Sequence, residues 1–145
     1  MDEKQTGVRS MSQETRHMKK SVWYLTVRGE FSAAHALRHY QGKCENMHGH
    51  NYGAELTVRG EKLSSDTELA MDFSEMKKIF REVLEQLDHH ILNEIPPFDV
   101  INPSSENLAR YIWKQLEPRF AQSSVELYSV TVSEKTAQSA TYREE

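Results

Sequence analysis

The sequence predicts an α+β fold, an antiparallel sheet backed on one side by helices. Three observations lead there. Segments near each end of the chain alternate apolar and polar residues with a period of two, as strands do. Two segments between them repeat apolar residues at spacings of three and four, as amphipathic helices do. Their order is strand, strand, helix, helix, strand, strand.

The first strand is VWYLTVRGEF, rich in β-branched and aromatic residues, with Trp23, Leu25 and Val27 on one face. NYGAELTVRG predicts the second, with Tyr52, Ala54, Leu56 and Val58 facing one way and Glu55, Thr57 and Arg59 the other. A loop of about 14 residues, His35 to His48, joins them; that is long for a hairpin, and long loops in small domains are often functional. Next, Phe73, Met76, Ile79, Phe80, Val83, Leu84, Leu87 and Ile91 form a helical stripe, with Asp72 and Glu75 fitting a capping box and an end near Asn93. Pro96 and Pro97 stop any continuation. A second helix is expected from Ser104 to Glu117, capped by Ser104, with Leu108, Tyr111, Ile112 and Leu116 inward and Pro118 as its end. SVELYSVTVSE then alternates again, placing Tyr128, Val130, Val132 and Glu134 on one face, and a short strand near Ala140 to Arg143 closes the sheet. Such a sheet has open edges, which predicts oligomerisation to cover them.

The 145 residues suit one domain. Residues 1–20 are polar and nearly free of aliphatics, which predicts a disordered tail ahead of a domain over 21–145. With 18 basic against 22 acidic residues the formal charge is −4, a poor match for a nucleic-acid backbone. No apolar run approaches the roughly 18 residues of a membrane helix. A single cysteine, Cys44, forms no internal disulfide and is a candidate ligand or nucleophile.

Chemistry concentrates in three places. His35 ends the first strand, while His48 and His50 stand two apart on the second, so the pair projects from one face and His35 can complete a cradle for one ion. Three neutral imidazoles suit zinc and leave a fourth position for catalysis. Cys44 as a fourth ligand would instead close a structural site, and the residues alone also allow no metal at all. His39 and His17 are expected to be solvated and Met47 to pack. The second place is LDHHILN, where Asp88 beside His89 reads either as a carboxylate orienting an imidazole or as a polar helix terminus; direct pairing needs an irregular helix end. Glu134, the third, puts a carboxylate on an inward row, where it needs a ligand, an arginine or exposure at the strand end.

Together FSAAH at 31–35, CENMHGHNY at 44–52, LDHHILN at 87–93, PSSENLARYIW at 103–113 and VSEKT at 132–136 resemble the 6-pyruvoyltetrahydropterin synthase / 6-carboxytetrahydropterin synthase family. The likeness spans roughly Val22 to Arg143. It implies the tunnelling fold, a ββααββ unit assembling as a homohexamer, a dimer of trimers, with sites between subunits. It also implies zinc on His35, His48 and His50, Cys44 as the proton-abstracting thiol, and Asp88 with His89 as the second acid/base pair. Glu134 would anchor the pterin ring by two parallel charge-assisted bonds, with Ser104, Ser105 and Glu106 of the PSSEN motif as further substrate contacts.

The spacing C-x3-HGH is similar to the bacterial carboxy branch, a cytoplasmic lyase supplying queuosine, which turns 7,8-dihydroneopterin triphosphate into 6-carboxy-5,6,7,8-tetrahydropterin, acetaldehyde and triphosphate. Glu45, directly after the cysteine, is similar to a folate branch that cleaves the same substrate to 6-hydroxymethyl-7,8-dihydropterin; having both residues resembles a bifunctional subgroup. The pyruvoyl branch and a non-enzymatic zinc-stabilised binding module are the other readings. Lys43 and Arg38 are the loop cations expected to meet a triphosphate.

Overall fold

The computed structural model describes residues 18–145. All but the last three residues of the expected tail therefore lie outside the described residues. Strands β1 (Trp23–His35) and β2 (His48–Gly60) form an antiparallel pair, followed by helix α1 (Phe73–Glu85) and a two-residue strand β3 (His90–Ile91). Helix α2 (Ser105–Phe120), β4 (Glu126–Lys135) and β5 (Gln138–Tyr142) complete the chain. The sheet order is β3-β1-β2-β4-β5. The sheet is mixed rather than wholly antiparallel, because β3 runs parallel to the end of β1, pairing Ala33 with His90 and Ala34 with Ile91.

Alternation decides which face is covered. Val27, Phe31, Ala33 and His35 of β1 and Tyr52, Ala54, Leu56 and Val58 of β2 are buried under the two helices. Fully removing side chains of this kind from water contributes about 1.5–3 kcal/mol each. The opposite face carries paired polar groups: Thr26 with Thr57, Arg28 with Glu55, Ser32 with Asn51 and Thr131 with Thr141.

Several expectations are corrected by local geometry. Tyr128 leaves the inward row, since the β2–β4 register shifts there, pairing Thr57 with Ser129 but Val58 with Leu127. The extra residue of this bulge turns Tyr128 outward against Tyr24, at 4.4 Å between ring centroids, and Leu127 packs on the core instead. Helix α2 continues past Pro118 to Phe120, because the buried stripe Leu108, Ile112, Leu116 extends to Phe120 in the same four-residue step. Helix α1 ends at Glu85 rather than near Asn93. Its last turn tightens, with the N–H of Gln86 and Leu87 donating to Val83 and Leu84, three residues back. Leu87 remains fully buried while Phe73 and Ile91, expected in the stripe, are exposed. At its start Asp72 accepts from the N–H of Ser74 rather than from Glu75.

The early end of α1 has a reason. The N–H of His89 donates to the carbonyl of Ser32 on β1, 2.6 Å away, and the N–H of Ser32 donates to Asp88 Oδ1 at 2.8 Å. The chain exchanges its helical bonds for bonds to the strand edge, and His89 takes a positive φ of 58° in making the turn.

Candidate metal and acid–base site

The β1–β2 register sets His35 directly opposite His48, and Ala33 opposite His50. All three imidazoles lie on the helix-covered side, and their ligand nitrogens fall within 4.8 Å of one another. His35 is 1% exposed.

Two of the three rings have their orientation set from behind. A carbonyl only accepts, so His35 Nδ1–H donates to Pro103 O at 2.8 Å, and His48 Nδ1–H donates to Asn46 O at 2.6 Å. In the neutral rings both Nε2 atoms then carry lone pairs, and these face each other at 3.1 Å. His50 Nε2 is buried with no hydrogen-bond partner among the described residues. Burial pushes the His35 ring below its ordinary pKa, against the Pro103 carbonyl and the Glu134 carboxylate, which pull the other way. Burial does the same at His50. Three ring nitrogens within 4.8 Å of one another, two of the rings braced by a carbonyl, present lone pairs that a cation between them would satisfy. The donor set fits a zinc ion.

Cys44 is a half-buried free thiol on a short 3-10 turn, Lys43–Glu45, and stands outside the cluster of ligand atoms. Its carbonyl accepts from the N–H of Leu37 at 2.8 Å. Glu45 is exposed on the same turn. Met47, expected to pack, is exposed. Glu134 is an extra residue where the β4–β5 register shifts between Ser133 and Lys135, and its Oε1 lies 3.9 Å from His35 Nε2. Its side chain is 18% exposed, so simple exposure at the strand end does not describe it.

Asp88 and His89 sit on the irregular end that direct pairing requires. His89 Nε2 lies 3.4 Å from Asp88 Oδ2, and the His89 side chain is 82% exposed. The two readings meet here: Asp88 N–H still donates to Leu84 O at 3.0 Å, in the turn that follows α1, while its carboxylate lies beside the His89 ring. His89 and His90 line a shallow cavity of about 470 Å³ with Ser32, Ala33, Asn51 and His50, so the pair's segment and one member of the histidine trio border the same space.

Of the PSSEN motif, Ser104 accepts from the N–H of Asn107 as the N-cap of α2, Ser105 is half-buried and Glu106 is exposed. The part of this motif that reaches the histidines is the carbonyl of Pro103, which no side-chain pattern displays. Sequence reasoning also missed two asparagines. Ala36 N–H donates to Asn93 Oδ1 and Asn93 Nδ2 donates back to Ala36 O, both at 2.9 Å. Asn102 makes the same pair of bonds with the backbone of Arg38, at 2.8 and 2.9 Å. Each amide imitates a neighbouring strand, and their place in the LDHHILN and INPSSEN stretches was the available signal. The Arg38 guanidinium donates to Phe98 O and Ile101 O, so it ties the loop down. Lys43 is exposed.

Comparison with known proteins agrees with this geometry. The sequence profile of the family described as 6-pyruvoyl tetrahydropterin synthase matches residues 24–145. A 6-pyruvoyl tetrahydrobiopterin synthase of Dictyostelium discoideum is 35% identical, covering 83% of this chain and 96% of that protein. A 6-carboxy-5,6,7,8-tetrahydropterin synthase of Synechocystis is 33% identical, covering 83% and 93%. The solved Caenorhabditis elegans 6-pyruvoyl tetrahydropterin synthase superposes with a TM-score of 0.75 at 30% identity, covering 88% of this chain and 99% of that one.

Proposed function

The chain belongs to the 6-pyruvoyl tetrahydropterin synthase family, and from that premise we propose that it is a zinc-dependent lyase of the carboxy branch. It takes 7,8-dihydroneopterin triphosphate and water to 6-carboxy-5,6,7,8-tetrahydropterin, acetaldehyde and triphosphate, for queuosine biosynthesis in the cytoplasm. The observation that carries the reading is the convergence of His35, His48 and His50 without Cys44, which leaves the thiol for proton transfer.

His35, His48 and His50 would hold the zinc. Bound there, the ion acidifies side-chain hydroxyls of the substrate and stabilises negative charge that develops on them. Cys44 is the base that takes the first side-chain proton. His89, oriented by Asp88 across 3.4 Å, moves the second. Glu134 accepts from the adjacent N–H and amino donors of the pterin ring, with Ser104, Ser105 and Glu106 as further contacts. As the family resemblance implies, a complete site would join two subunits of a homohexamer built as a dimer of trimers.

A second reading rests on Glu45, which shares the three-residue turn with Cys44. A carboxylate and a thiol side by side reach different side-chain protons, which favours a dual or folate-branch outcome with 6-hydroxymethyl-7,8-dihydropterin as product. Incubating the zinc-loaded protein with dihydroneopterin triphosphate and identifying the pterin by mass tests both. A carboxy product supports the first reading, a hydroxymethyl product the second, and a pyruvoyl product or no turnover refutes the assignment.

A further inference from the structure

The register of the sheet sets a fourth histidine in line with the metal site. Ala33 of β1 pairs with His90 of β3 on one side and with His50 of β2 on the other. Directly paired residues carry their side chains on the same face of a sheet. His90 therefore stands on the face that holds the trio, two inter-strand spacings or about 10 Å from His50. Ala33 between them adds only a methyl group. All three residues border the one cavity of about 470 Å³.

One nitrogen of the His90 ring is already committed. Its Nδ1–H donates to the carbonyl of Asp88 at 2.7 Å, which leaves Nε2 for a ligand. The side chain is exposed, at the edge of the sheet. The mechanism above occupies the trio, Cys44 and His89 with the substrate's side chain and gives its triphosphate no partner. The Arg38 guanidinium is engaged by the carbonyls of Phe98 and Ile101. Among the described residues, no lysine or arginine borders this cavity; its only groups able to carry positive charge are three imidazoles. His50 serves zinc and His89 serves proton transfer. His90 is left.

We propose that His90, as an imidazolium, donates a hydrogen bond from Nε2 to the triphosphate of the bound substrate, and so selects phosphorylated pterins. An imidazolium donates from both nitrogens, so the bond to the Asp88 carbonyl is kept and holds the ring in place. A phosphate beside the ring favours its charged form. This rests on the pterin triphosphate reading above and adds to it a residue and a basis for selectivity.

The test compares wild-type protein with His90→Gln and His90→Lys, all zinc-loaded, by fluorescence titration with two probes: neopterin, and neopterin triphosphate, the same pterin carrying the phosphates. His90→Gln is expected to bind the triphosphate about 10- to 100-fold more weakly, the size of one charge-assisted hydrogen bond, and neopterin equally well. His90→Lys returns a cation to the position and is expected to recover most of that loss. A residue needed only to hold Asp88 would show no such recovery. Equal weakening for both probes, unchanged triphosphate affinity in His90→Gln, or the same loss in both variants would overturn the proposal while leaving the pterin assignment standing. So would a wild-type protein that binds the two probes equally. A wild-type protein that binds neither probe would overturn both.

Discussion

His35 and Pro103 stand 68 positions apart, yet the ring of one donates to the carbonyl of the other across 2.8 Å. That bond joins the sheet to the segment entering α2 and turns a strand-end imidazole into a fixed ligand. A buried histidine held by one nitrogen has only the other to offer, and here it points at His48 and toward His50.

Metal binding should follow from that arrangement. His50→Ala removes a donor while leaving the His35–Pro103 bond intact, so the variant should fold and lose zinc affinity by more than about 100-fold. Competition against a chromophoric chelator measures this. Unchanged affinity would mean that the three nitrogens do not act together.

Cys44→Ala separates a base from a ligand. The proposed role predicts loss of carboxy-product formation by at least about 10²-fold with zinc still near one per subunit. Metal analysis beside product analysis decides; loss of zinc together with activity would reassign the thiol to the ion.

At His89 stability and activity should diverge. A non-glycine residue at φ 58° is strained by an amount on the order of 1 kcal/mol, and glycine relieves it. His89→Gly should therefore gain about 0.5 kcal/mol or lose nothing in urea unfolding, while turnover falls about 10²- to 10⁴-fold. An active variant would remove His89 from the proton-transfer path.

Asn93→Ala and Asn102→Ala each strip two hydrogen bonds from the backbone of residues 36–38. Because the freed groups are only partly buried, each change should cost about 1–3 kcal/mol. Chemical denaturation gives the stability. Turnover should fall further than unfolding accounts for, through disorder of the loop that carries Cys44.

Much of this was legible in the chain because burial on one face writes itself into a sequence as a period. The row Tyr52, Ala54, Leu56, Val58 fixed the face of β2, and His48 and His50 followed by parity. What stayed hidden lacked a period. A bulge at Tyr128 adds one residue and reverses a row without any change in composition. The early end of α1 depends on bonds between His89 and Ser32, residues on separate elements. Backbone carbonyls such as that of Pro103 carry no residue-type signature at all. Glu134 was visible as a misplaced carboxylate, but its nearness to His35 came only with the folded sheet.

The two asparagine clamps leave the rest of the loop light duties. Between His39 and Met47 only Cys44 is even half-buried. Apart from Gly42, whose φ of 147° suits glycine alone, substituting the other residues of that stretch disturbs little packing, so new chemistry can be tried there while the anchors hold the ends in place. A scaffold of this kind can diversify its products by exchanging a short cassette, much as a tool handle accepts different bits.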